Sequence, residues 1–123
     1  MRSFSQTSLA RLATCDPELQ RLFNEVLQRV DCTVICGHRA EEAQNKAVAE
    51  GKSQTKWPHS KHNSLPSRAV DAGPWPLYWY DLKSFDQFAA VVKTVAAELN
   101  IEIEWGGDWV SFKDRPHFQL KGK

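Results

Sequence analysis

Two stretches of the chain repeat apolar residues at three- and four-residue intervals, and short apolar or alternating runs lie between and after them. Residues 7–30 read as two helices. In the first, Leu9, Leu12 and Ala13 keep helical spacing. The second opens on Asp16 as N-cap with Pro17 at the first helical position, and Leu19, Leu22, Phe23, Val26, Leu27 and Val30 form its core-facing stripe. Cys32-Thr33-Val34-Ile35-Cys36 is short, β-branched and bounded by Gly37, which predicts a strand. A helix over 40–50 follows, built of strong helix formers and stopped by Gly51.

Residues 52–66 show neither period and read as a polar loop, after which 67–72 alternate as a strand. The run Gly73-Pro74-Trp75-Pro76-Leu77-Tyr78-Trp79-Tyr80 is a proline-punctuated aromatic loop, able to wall a cleft or to cap the core. Ser84 is the predicted cap of a helix reaching about Asn100, with Phe85, Phe88, Val91, Val92, Val95, Ala96 and Leu99 on one face. Strands are expected at 101–105, 109–112 and 117–120, with a turn at Gly106-Gly107-Asp108. The order of elements predicts one α+β domain over residues 1–123, with a small antiparallel sheet packed against three or four helices.

Composition narrows the classes without choosing among them. A net charge of +1 with scattered Lys and Arg gives no basic stripe for nucleic acid. No apolar run approaches the ~20 residues that span a bilayer, so no membrane insertion is expected. The first residues lack the apolar core of a secretory signal, which predicts synthesis and folding in a cytoplasm. Three cysteines are too few for a disulfide framework and read as reduced thiols; on a regular strand Cys32 and Cys36 point to one face.

The chemistry concentrates in His62, Asp71 and His117. Two imidazoles and one carboxylate are a three-ligand zinc set that leaves a fourth position open for water. His62 and Asp71 flank a turn containing Pro66, and His117 opens the last strand. Spacing alone leaves other readings standing: His62 as a loop residue, His117 as a satisfied sheet residue, or His59 as the ligand instead. A hydrolytic site would also need a carboxylate to move the proton of the attacking water, for which Asp114 is placed, and a cation for the developing oxyanion, for which Arg39 is placed at a strand-to-helix junction. His38 reads as a surface or hydrogen-bonded residue.

These residues fall into three blocks that carry a resemblance across 36–120: Gly37-His38-Arg39 with Gln44 downstream, Ser60-x-His62 through Ala69-x-Asp71, and Asp114-x-x-His117. The chain resembles the zinc D-alanyl-D-alanine and L-alanyl-D-glutamate peptidases of bacterial cell walls, and is most similar to their short phage endolysins. The resemblance implies the fold shared with hedgehog-like domains, with one zinc at the sheet held by His62, Asp71 and His117. It implies Asp114 as general base and then acid, Arg39 as stabiliser of the tetrahedral intermediate, and Ser60 and Gln44 on the substrate side. The Trp105-Gly106-Gly107-Asp108-Trp109 segment also resembles the phage members and is expected to be structural.

Two departures from the family pattern bear on this reading. The interval from His62 to Asp71 is two residues longer than usual, which requires a bulge near Leu65-Pro66. The acid is Asp rather than the Glu of the dipeptidase branch. The shorter acid points to an L-alanyl-D-glutamate endopeptidase acting on the peptidoglycan stem peptide, a monomer that reaches the wall from the host cytoplasm. The alternatives are D-Ala-D-Ala carboxypeptidase or dipeptidase action, or a non-catalytic zinc-containing wall-binding or phage-particle protein.

Overall fold

The computed structural model describes residues 1–122. Helices α1 (Gln6–Leu12), α2 (Pro17–Arg29), α3 (Glu41–Ala49) and α4 (Leu82–Glu98) accompany strands β1 (Cys32–Cys36), β2 (Ala69–Pro74), β3 (Ile103–Trp105) and β4 (His117–Leu120). The strands form one antiparallel sheet in the order β1-β2-β4-β3, the expected α+β architecture. No helix of the described residues is long and apolar enough to cross a membrane.

The sheet separates core from chemistry by its pleat. In β4, Phe118 and Leu120 are buried, and in β2, Val70 and Ala72 are buried with them. These residues meet Phe23 and Val26 of α2 and Phe88 and Val92 of α4 in a single apolar cluster. Phe118 is its centre, with edge-on contacts to Phe23 at 5.6 Å and Phe88 at 6.0 Å between ring centroids. Because successive side chains of a strand face opposite ways, His117, Gln119 and Asp71 lie on the other face. Asp71 and His117 are direct cross-strand partners in the β2–β4 register. The apolar pattern that buries Phe118 therefore also presents a carboxylate and an imidazole side by side.

Several elements depart from the expected ones. Asp81, not Ser84, caps α4, accepting the Ser84 amide at 3.2 Å. Its C-terminus is closed by Asn100 in the left-handed region (φ 58). There the Asn100 and Ile101 amides donate to the carbonyls of Ala97 and Ala96. This closure takes up Ile101, so β3 starts only at Ile103. Strand β2 continues through Gly73 and Pro74, which pair with Thr33 and Cys32. Residues 109–112 form no strand: Trp109 turns back to donate its indole N–H to Glu104 at 2.6 Å, and Val110 is left exposed. Leu9 is half exposed, and α1 buries Ser8 and Leu12 instead. A register irregularity between Val34 and Cys36 breaks the β1 alternation, so Cys32 enters the core while Cys36 is half-buried beside Arg39.

Candidate active site

Asp71 sits on the central strand with Cys36 opposite it on one side and His117 on the other. His62 arrives from the loop. It lies in a short 3-10 turn, Lys61–Asn63, capped by Ser60, whose hydroxyl accepts the His62 amide at 3.2 Å while Asn63 returns a bond to the Ser60 amide at 2.9 Å. The Arg39 amide donates to the His62 carbonyl at 2.7 Å and ties this turn to the end of β1. Between His62 and Asp71 the chain bulges outward at the exposed Leu65 and Pro66, and Ser67 is anchored again by its amide to the Thr14 carbonyl.

The three side chains converge on one point. His62 Nε2 lies 3.2 Å from Asp71 Oδ1 and 3.2 Å from His117 Nδ1, and His117 Nδ1 lies 3.3 Å from Asp71 Oδ1. The outer nitrogens are already engaged. His62 Nδ1 donates to the Gly37 carbonyl at 2.7 Å, and His117 Nε2 donates to Gln119 Oε1 at 2.7 Å. With those protons on the outer nitrogens and both rings neutral, two imidazole lone pairs and a carboxylate oxygen face one another, an arrangement that favours a positive charge between them, carried by a proton or by a metal ion. The triangle has the right size for a four-coordinate ion. Ligand bonds of about 2.0–2.1 Å place tetrahedral neighbours about 3.3–3.4 Å apart. His62, Asp71 and His117 are thus a group able to hold a metal ion.

Protonation reports the same demand for positive charge. Burial works against the His62 imidazolium, but the Asp71 charge and hydrogen bond overcome it and push His62 up to about 10. Burial would raise the Asp71 carboxyl, yet the charge of His62 and the hydrogen bonds from both histidines hold it far below the ordinary carboxylate range. Cys36 is likewise disfavoured as a thiolate by burial, and the hydrogen bond and charge of His62 outweigh that and lower it.

Asp114 and His117 share one tight turn, in which the His117 amide donates to the Asp114 carbonyl at 3.1 Å. The turn rests on Gly106, whose carbonyl accepts the Asp114 amide at 3.0 Å. A side chain at Gly106 would overlap the Asp114 carbonyl and crowd the β-carbons of Asp114 and His117. The glycine of the Trp105–Trp109 segment is therefore required by close backbone approach. Asp114 lines the same cavity as His62 and His117. Burial and the nearby Asp71 charge push its carboxyl up to about 6, against the pull of His117, His62 and Arg39.

A family model described as phage L-alanyl-D-glutamate peptidase matches residues 1–120. The chain belongs to this family. It is 34% identical over 125 residues to an L-alanyl-D-glutamate peptidase of Escherichia phage T5, spanning 96% of this chain and 88% of the relative. The crystal structure of the Serratia marcescens L-Ala D-Glu endopeptidase ChiX superposes with a TM-score of 0.80 at 35% identity, covering 95% of this chain and 88% of that one.

In this member of the phage peptidase family the remaining expected residues separate by depth. Arg39 donates to Gln44 Oε1 at 3.0 Å and lies 3.5 Å from Asp71 Oδ2, with its side chain reaching the cavity. Gln44 does not reach the substrate side: it is fully buried, and its amide is spent on Arg39, Asn63, Ser53 and the Thr55 carbonyl. It braces Arg39 from behind. Ser60 lines the cavity while capping the His62 turn. His59 also lines the cavity but stands outside the converging group. His38 is hydrogen-bonded, through Nδ1, to the Ser64 carbonyl at 2.9 Å.

Sequence reasoning missed Gln119. The signal was available, since His-x-Gln on a strand puts both side chains on one face. Replacing Gln119 by leucine is expected to lower divalent-metal affinity about 10–100-fold, and glutamate, which can only accept, is expected to retain it. Competition against a chromogenic chelator measures both.

Proposed function

We propose that the chain is a zinc-dependent peptidoglycan endopeptidase, a single catalytic domain that hydrolyses the amide between L-alanine and D-glutamate in the stem peptide. The observation that carries this reading is the convergence of three acceptors, each oriented from behind, beside a raised carboxyl in one cavity. Membership of the family and the activities of the phage T5 and Serratia relatives support this choice of bond.

His62, Asp71 and His117 would hold the ion, and their number and type favour zinc with one position open. When bound, zinc supplies a Lewis acid and brings the pKa of a water to about 7. Asp114 takes the proton from the attacking water as its oxygen bonds to the alanyl carbonyl carbon. The same carboxyl returns that proton to the glutamyl nitrogen as the C–N bond breaks. Arg39, held by Gln44, faces the negative charge that develops on the carbonyl oxygen. Ser60 contributes by fixing the His62 turn and by a hydroxyl at the cavity wall. Gln44 contributes by bracing Arg39 and, through Asn63, the His62 turn.

The test is metal content by mass spectrometry together with digestion of purified peptidoglycan. One zinc per chain and new L-alanine C-termini are expected. Release of D-alanine would move the chain to carboxypeptidase action, and a metal-free, inactive chain after reconstitution would overturn the reading.

A further inference from the structure

The cleft has two arms of different character that meet at the reacting centre. One, of about 570 Å³, contains His62 and His117; Ser53, Thr55, Ser60, Lys52, Lys61 and His59 line it opposite Trp109, Val110 and Phe112, and Asp114 is the sole carboxylate in its wall. The other, of about 730 Å³, runs past Asp71 on the far side of Arg39 and is walled by Ile35, Ala43, Ala47, Trp79 and Pro116. Arg39, Lys52 and Asp114 line both. The cations of the second arm are matched by acids: Lys46 and Lys52 lie within ion-pair reach of Glu50, at 4.0 and 3.3 Å, and Arg39 lies 3.5 Å from Asp71, so the arm adds an apolar and aromatic surface without an excess of positive charge.

Trp79 is the distinctive part of that wall. Its ring stacks on Phe85, with centroids 5.7 Å apart and planes 24° from parallel, and it remains 52% exposed. Tyr78 and Tyr80 are exposed beside it. An indole braced from behind by another ring offers a flat apolar face at small entropic cost. Such a face complements the C–H face of a pyranose ring and offers nothing to a carboxylate. The substrate of the proposed endopeptidase is polarised in the same sense. Its alanyl amine carries the lactyl sugar of the glycan strand, and its glutamyl side carries the carboxylates.

We infer that the Trp79 arm receives the alanyl side of the scissile bond, with the lactyl amino sugar stacked on Trp79, and that the lysine- and hydroxyl-bearing arm receives the glutamyl side. The inference rests on the endopeptidase reading and adds a sugar subsite and a substrate direction to it. Sugar-bearing wall fragments are then better substrates than the same stem peptides stripped of sugar.

The zinc-loaded protein would be compared on a disaccharide-linked stem peptide and on the bare stem peptide. Wild type is expected to favour the first, and Trp79→Ala to lower that preference in kcat/KM about tenfold. Tyr80→Ala, at a position 100% exposed and so without effect on folding, is expected to lower it by a smaller factor in the same sense. Titration of N-acetylmuramoyl-L-alanine, which requires no turnover, is expected to saturate with wild type and to weaken with Trp79→Ala. No preference in wild type, or a preference that Trp79→Ala leaves intact, would overturn the subsite. So would a wild-type dimer that Trp79→Ala dissociates with the preference unchanged, since a second copy would then cover this face. Failure to cut either substrate while the sugar ligand still binds at Trp79 would sink the endopeptidase reading and leave the sugar subsite standing.

Discussion

Replacing His117 by alanine is expected to lower zinc affinity about 10³-fold, because one of three ligands carries roughly a third of an apparent binding free energy of about 12 kcal/mol. The loss should appear as substoichiometric metal after dialysis and as a matching loss of wall cleavage. Of the three converging residues, His117 is the one least able to be replaced by a neighbour. It is locked on β4 opposite Asp71, its outer nitrogen is held by Gln119, and Trp109 lies against its ring with centroids 5.1 Å apart. His59, although it lines the same cavity, is on a loop outside the converging group. The wild-type affinity also carries a pH signature. His62, raised to about 10 by Asp71 in the metal-free cluster, must release its proton to bind an ion, so affinity rises with pH up to that value and falls on acidification. Calorimetry in buffers of different ionisation enthalpy reads the released proton directly. A His117→Ala protein with full zinc content would remove His117 from the ligand set.

Asp114→Asn is expected to keep its zinc and lose about 10²- to 10⁴-fold in kcat, the range of a positioned acid–base group. Asparagine preserves the shape of the side chain but can neither take nor return the proton. The two variants thus separate holding the ion from moving the proton, because Asp114 lies outside the converging ligands. The wild-type pH profile follows with a definite sign. A general base works when ionised, so kcat/KM rises with pH through the Asp114 pKa, which burial and Asp71 put at about 6 without metal. An ion in the cluster adds positive charge nearby and moves that acid limb to a lower pH. In Asp114→Asn this limb should vanish. Full kcat in that variant would remove Asp114 from the proton transfer, whereas wall binding without cleavage in wild type and variant alike would favour a non-catalytic wall-binding protein.

How far the sequence discloses the molecule depends on whether a feature is local. The α2 stripe, its Asp16 cap and Pro17 are local patterns, and α2 spans Pro17–Arg29 as they require. The 109–112 segment mimics a strand in its alternation, but pairing needs a partner edge. Once Gly106 turns the chain, the Trp109 indole is drawn to Glu104 and no ladder forms. The Cys32/Cys36 expectation failed on a single irregularity in β1, which no alternation reveals. At the site, the three residues that converge, His62, Asp71 and His117, were singled out by their resemblance to known blocks. The groups that aim it were not. The Gly37 carbonyl is backbone and carries no residue signature, and Gln119 becomes meaningful only once His117 is known to lie on a strand. Gln44 was placed on the substrate side by resemblance alone, and its enclosure by Arg39, Asn63, Ser53 and Thr55 is a matter of tertiary packing that no local pattern carries.

The turn from Asp114 to His117, closed on itself and seated on Gly106, makes these two residues a single rigid piece. His62 and Asp71 are joined to each other by a loop that bulges into solvent at Leu65 and Pro66. Tolerance to changes of length is thereby divided unequally. An insertion between His62 and Asp71 is expected to register only at the perimeter, while one within the four residues 114–117 would shift Asp114 against His117. A library of loop-length variants at 64–66 should therefore be far richer in active members than one of equal size at 114–117.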